Sequence, residues 1–167
     1  SQINVRLIRV RSSGLSEAVD KLSDLERVLQ FRFKSRELLA VAMTHSSYPN
    51  EHPNHPQESN ERLEFLGDAL LGLVIAQDLY ESYPSMNEGQ LTQLRSVVVR
   101  GDSLARVAHR LGIGQYLRLG KGEAASGGAD QDSNLAGALE ALAGAIFLDS
   151  GFRSASAWAK RILRSEL

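Results

Sequence analysis

An all-α domain is what this sequence predicts, on three observations. Apolar residues recur at three- and four-residue steps along most of the chain, helix-capping residues and glycines punctuate those runs, and no two segments alternate as paired strands do. Val97-Val98-Val99 is the one β-favouring stretch, and it sits inside a helical pattern.

The elements follow in order. Residues 1–16 carry Arg6, Arg9 and Arg11 with no acid before Glu17, a weak likeness to a transit sequence that is better read as a flexible or weakly attached arm. One domain is expected over 17–167. Leu15, Val19, Leu22, Leu25 and Leu29 share a helical face, and Phe31 and Phe33 mark its end. Ser35 caps a short helix to Met43, with Glu37 in the first turn, which runs into Thr44-His45-Ser46-Ser47-Tyr48. Pro49 to Ser59, rich in proline, asparagine and histidine, predicts a loop.

The longest helix is expected from Asn60, as N-cap, to about Ser82, where Tyr83-Pro84 breaks it. Asn87 caps the next, through Leu91, Leu94, Val97 and Val98, with Gly101 ending it. Asp102 caps another, through Leu104, Val107, Ala108 and Leu111 to Gly112. Gly120 to Asp132 predicts a mobile loop. A buried helix from Ser133 to Asp149 follows, then a last one holding Trp158, Ile162 and Leu163.

Composition bounds the function. At 167 residues the chain suits one substantial core. A formal charge of −1 provides no overall field toward a polyanion, so any nucleic-acid contact must come from local basic patches or bound cations. The absence of cysteine excludes disulfides, thiolate metal sites and cysteine nucleophiles. It suits a reducing compartment, and a cytoplasmic location is expected. No run of about 20 apolar residues suggests a bilayer span, so no membrane partner is expected.

The carboxylates are the informative residues. On a helical wheel Leu63, Leu66, Leu70, Leu73 and Val74 gather on one side of the long helix, while Glu61, Glu64 and Asp68 share another. That stripe continues into Leu71 and Ile75, which places the acids at the mouth of the core. In the later helix Leu135, Leu139, Leu142 and Ile146 form the core face. Gly137, Glu140 and Gly144 lie on a different stripe, and Glu140 is the only charge between Ser133 and Leu148. A buried acid among alanines and glycines needs a partner. Two readings stand: Glu64, Asp68 and Glu140 hold a hard divalent cation, or the first acids form a solvated face near a helix N-terminus and Glu140 pairs with Arg62 or Arg95.

The string Asn60-Glu61-Arg62-Leu63-Glu64-Phe65-Leu66-Gly67-Asp68-Ala69-Leu70 resembles the signature motif of the ribonuclease III family. Met43 to Tyr48, Asn87-Glu88-Gly89, Arg100 to Leu104, Leu117 to Gly122, Ser126-Gly127-Gly128, Glu140-Ala141-Leu142 and Phe147-Leu148-Asp149 match in order, so the resemblance covers roughly Leu22 to Leu163. It implies a helical, two-fold symmetric homodimer with an Mg²⁺ site (Mn²⁺ as substitute) in each subunit, facing a valley for double-stranded RNA. It further implies Asp68 and Glu140 as catalytic, Glu64, Asp68 and Glu140 as metal ligands, Glu61 at the valley wall and Phe65 as a knob entering the partner subunit. Arg95, Arg100, Arg118 and Lys121 are candidate phosphate contacts or solvated surface. No segment reads as a separate double-stranded-RNA-binding domain.

One position departs from the family pattern. An aspartate is expected one turn before Glu140, and this chain has Gly137, the position of a lost ligand. Three accounts stay open: water replaces the carboxylate and cleavage survives weakened; the protein binds structured RNA or serves in ribonucleoprotein assembly without cutting; or the sequence has been altered there. The four histidines lack paired helical spacing for zinc, and Ser46 and Ser47 beside His45 read as turn residues.

Overall fold

The computed structural model describes residues 20–54 and 58–167; the expected arm, Leu15 and Val19 of the first helix, and His55 lie outside the described residues. The chain divides into two compact units, residues 1–32 and 33–167. In the first, residues 20–29 form helix α1, with Leu25 and Leu29 buried on the predicted face. It closes with Phe31 N–H donating to Glu26 O at 3.1 Å.

The second unit is helical throughout. Its elements are α2 (Arg36–Ala42), α3 (Ser47–Glu51), α4 (Glu61–Ser82), α5 (Glu88–Val98), α6 (Gly101–Arg110), α7 (Lys121–Ala125) and α8 (Asp132–Leu163), with single 3₁₀ turns at Ile113–Tyr116, Gly128–Asp130 and Arg164–Glu166. Among the described residues the only sheet-like pairing is an isolated parallel bridge between Thr44 and Arg118. The all-α class is observed, and the three valines from Val97 end a helix.

Several expected boundaries hold for the expected reasons. Ser35 accepts from Leu38 N–H, and Asn87 forms a reciprocal capping box with Gln90. Others differ. Asn60 precedes α4 but does not cap it with its side chain: its amide donates to Ala42 O (3.1 Å) and its backbone N–H to Thr44 O (2.8 Å), tying the start of α4 to the end of α2. Part of the predicted loop after Pro49 is helical, because proline in the first turn of α3 lacks only a donor that no carbonyl there requires. Gly101 opens α6 instead of ending α5, and Asp102 lies inside α6, accepting from Ser103 N–H at 2.9 Å.

The expected mobile loop at Gly120 to Asp132 holds α7 and a 3₁₀ turn. Glu51 fixes it from far along the chain, accepting Lys121 N–H (2.7 Å) and Gly122 N–H (3.1 Å), and Ser47 Oγ accepts Gly120 N–H at 2.9 Å.

The core is built on α8, against which α4 and α6 pack. Leu135, Leu139, Leu142 and Ile146 are fully buried, as their stripe predicts. For α4 the wheel is corrected: Leu63, Leu70 and Val74 are buried with Leu71, Ile75 and Leu79, whereas Leu73 is 57% exposed. By length and composition α8 could cross a bilayer, but most of its apolar window is buried inside the protein, as in a core helix. Its regular backbone breaks at Gly151 (φ 83°), where the expected last helix begins.

Candidate active site

Two glycines bring α4 and α8 together. A Cβ on Gly67 would coincide with the Glu140 carbonyl oxygen, and one on Gly144 would strike the Leu63 carbonyl. The two backbones therefore touch with no side chain between them. Glu64 and Asp68, flanking Gly67 on α4, are thereby carried up to Glu140 on α8.

The electrostatics record this convergence. Burial, then the nearby charges of Asp68 and Glu64, push the Glu140 carboxyl up to about 7. Burial likewise raises Glu64, with Glu61 and Asp68 adding to the rise and His45 opposing it. Among the described residues Glu140 has no ion pair; Arg62 pairs with Glu58 at 3.7 Å instead, and Arg95 lies on α5 beside a different groove. The repulsion of Glu140 by Asp68 and Glu64, with no ion pair to Glu140 among the described residues, is what a bound cation would relieve.

The donor chemistry fits a hard divalent ion, since Glu64, Asp68 and Glu140 offer only carboxylate oxygens. The side chains as they stand are not drawn together: among the described residues no three histidine or acidic groups enclose a space for an ion. Gly137 is buried, and the Glu64 carboxylate lies over it. Asp132 is engaged elsewhere, with His109 Nε2 at 3.0 Å.

The remaining candidates distribute unevenly. Glu61 accepts from Ser59 Oγ at 2.8 Å and lines a groove of about 1110 Å³ together with Leu38, Leu63, Phe65, Arg118 and Leu148. Phe65 is 81% exposed beside that groove. The basic residues occupy four separate segments: Arg95 in α5, Arg100 before α6, Arg118 in the bridge to Thr44, and Lys121 opening α7. Arg100 is bound in bidentate fashion by Asp102 (2.6 and 2.9 Å), and Arg118 lies 5.2 Å over the Tyr48 ring.

Sequence reasoning missed two contributors. His45 borders Glu64, and its Nδ1 accepts the Ser47 N–H (3.2 Å), which leaves the ring proton on Nε2 in the neutral form. Glu51 anchors the first turn of α7 from within the predicted loop. No local signal marks Glu51, because its partners lie 70 residues away.

Comparison with known proteins agrees with this architecture. The chain is 47% identical over 146 residues to ribonuclease 3 of Dehalococcoides mccartyi, spanning 87% of this chain and 62% of that protein. It is 50% identical over 135 residues to ribonuclease 3 of Symbiobacterium thermophilum, spanning 81% and 56%. The chain thus covers less than two thirds of the length of these relatives. A solved nuclease domain of ribonuclease III from Campylobacter jejuni, described as having a flexible region involved in dimer formation, superposes with a TM-score of 0.79. The identity is 38%, with 86% of this chain and 96% of that one covered. Residues 35–167, from the cap of α2 through every helix that builds the carboxylate cluster, match the family described as Ribonuclease-III-like, and the chain belongs to that family.

Proposed function

We propose that the chain is the nuclease domain of a divalent-metal-dependent endoribonuclease that cuts double-stranded RNA as a homodimer. One observation carries the reading: the glycine-mediated contact of α4 and α8 brings Glu64 and Asp68 to Glu140, among the described residues without an ion-pair partner for Glu140, and holds that carboxyl near 7. Glu64, Asp68 and Glu140 would hold Mg²⁺ or Mn²⁺. When bound, such an ion supplies charge neutralisation on the scissile phosphate and activation of water. Asp68 and Glu140 are the residues on which hydrolysis depends. Without an ion, burial and the charges of Asp68 and Glu64 raise the Glu140 carboxyl to about 7, and a bound cation would favour its ionised form.

The same reading places Glu61 at the valley wall and Phe65 in the partner subunit's groove. Arg118 and Lys121 would meet RNA phosphates, with Arg95 and Arg100 as further contacts. Ribosomal or messenger precursors as substrates, and a cytoplasmic setting, belong to this proposal.

The test is incubation of the protein with a long perfect RNA duplex at low salt, where phosphate contacts are strongest, with Mg²⁺ or Mn²⁺. Cleavage by the parent that Glu140→Gln abolishes is the expected result. Gly137 favours a second reading, a protein of this fold that binds structured RNA without cutting it. That reading gains if the parent is inert and Gly137→Asp cuts.

A further inference from the structure

Helix α7 is five residues long and has no side-chain cap of its own, since Gly120 stands in front of it. A helix that short does not persist by propensity, and its first N–H groups find no carbonyl within it to accept them. Their partners come from α3, 70 residues earlier in the chain. One Glu51 oxygen accepts Lys121 N–H (2.7 Å), the other accepts Gly122 N–H (3.1 Å), and Ser47 Oγ accepts Gly120 N–H (2.9 Å). Just before α7, Arg118 N–H donates to Met43 O (2.7 Å) and His45 N–H to Arg118 O (3.0 Å). The fit is close: an ideal Cβ on Gly120 would lie 2.7 Å from Glu51 Cδ, from its Oε1 and from the Ser47 carbonyl oxygen. Lys121 N–H, then Gly122 N–H, hold the Glu51 carboxyl below its ordinary value, so the acceptor is ionised at neutral pH. The exposed Lys121 side chain leaves the first residue of α7 with no ion pair among the described residues, whereas Arg100 is bound by Asp102.

We propose that Glu51 is a positioning residue for Lys121: by capping α7 from α3 it fixes the backbone from which Lys121 reaches an RNA phosphate. The inference rests on the duplex-RNA reading of the preceding section and deepens it. Its consequence runs against simple charge counting. Glu51 is itself an anion close to where the polyanion would lie, so its neutralisation alone favours RNA. Glu51→Gln keeps the size and shape of the side chain, but an amide offers one accepting oxygen where the carboxylate offers two, and it turns an N–H toward the other donor. One of the two α7 N–H groups then loses its acceptor, the short helix frays, and Lys121 samples orientations away from the phosphate. Binding therefore weakens although a negative charge has gone. Because Glu51 is exposed, the fold tolerates the change.

The measurement is affinity for a fluorescently labelled RNA duplex by anisotropy, over a series of low salt concentrations in chelator, where the RNA stays whole. It is made on the parent, Glu51→Gln, Lys121→Ala and their double variant, with circular dichroism verifying the fold of each. Lys121→Ala and Glu51→Gln are each expected to weaken binding roughly 3-fold and to lower the slope of log affinity against log salt by about one, the signature of one lost phosphate contact. In the Lys121→Ala background Glu51→Gln is expected to cause no further loss, since Glu51 acts only through Lys121. A general loosening of the fold would instead weaken binding whether or not Lys121 is present. Binding by Glu51→Gln that equals or exceeds the parent's, an unchanged Lys121→Ala, or losses that multiply in the double variant would each overturn the inference, while binding by the parent upholds the RNA reading. A parent that binds no duplex at the lowest salt, in chelator or with Mg²⁺, removes the RNA reading and this inference together.

Discussion

Glu140 has an environment that disfavours its charge, and that has a consequence independent of any ligand. Its folded-state value, about 7, lies above the 4.5 of an unperturbed glutamate, with burial the first cause and Asp68 and Glu64 the next. A group raised in this way contributes stability that is complete below the unfolded value and is lost as pH rises through the folded one. Metal-free protein should therefore lose unfolding free energy between about pH 4.5 and 7, and Glu140→Gln should flatten that slope. Urea titrations in chelator at several pH values measure it; equal slopes in parent and variant would refute the assignment. Since Asp68 is one of the two like charges, Asp68→Asn should move the Glu140 midpoint down, as read by carboxyl NMR. Cation binding needs ionised carboxylates, so Mn²⁺ affinity should climb as pH rises through 7. The isolated position of Glu140 among small residues made its need for a partner legible in the sequence, the motif pointed to Glu64 and Asp68, and the structure places these three acids on adjoining helices. The seat of Glu64 over Gly137 was not legible, because spacing along one helix says nothing about which atoms of another helix fill a gap.

The site is an outcome of one helix pair, and its weakest tolerance lies where α4 and α8 touch. Gly67→Ala would place a methyl group on the Glu140 carbonyl, and backbone cannot step aside as a side chain does. Overpacking of this sort costs about 3 kcal/mol or more, read as a lower urea midpoint, with the carboxylate cluster pulled apart as well. Gly72 is the control on the same helix. A Cβ there meets nothing within 4 Å, so Gly72→Ala should stabilise by about 0.5–1 kcal/mol through helix propensity and a less mobile unfolded chain. A similar effect of the two substitutions would show that the helices do not meet at Gly67. Helix identities and most of their ends were readable from caps and periodicity. The burial of α4 was only partly so: a helix apolar nearly all round presents more than one candidate face, and the buried one joins Leu63, Leu70 and Val74 to Leu71 and Ile75 while leaving Leu73 exposed. Asn60 and α7 escaped local reading for a related reason, since Ala42, Thr44 and Glu51, which fix them, are distant in sequence.

At the scale of the whole molecule the exposed Phe65 is the feature the single chain leaves unexplained. An aromatic ring 81% open to solvent stands beside a groove of about 1110 Å³ whose apolar walls include Leu38, Val41, Leu63, Leu66 and Leu148. In the homodimer proposed above, knob and socket on one surface would be self-complementary, and a two-fold axis would let each copy fill the other and close the contact at two subunits. Burying a phenylalanine stabilises by about 1.5–3 kcal/mol, and the symmetry counts it twice. Phe65→Asp should accordingly sediment as a monomer at concentrations where the parent is a dimer. Its circular dichroism should be unchanged, because the side chain is largely solvent-exposed in the isolated chain. Phe65→Leu, smaller but still apolar, should fall between them. A dimer that survives Phe65→Asp would place the interface elsewhere. The monomeric variant also separates assembly from chemistry: the carboxylates come from α4 and α8 of one chain, so its Mn²⁺ affinity should match the parent's, while cleavage of duplex RNA should fall if both subunits are needed to form the surface on which the duplex lies.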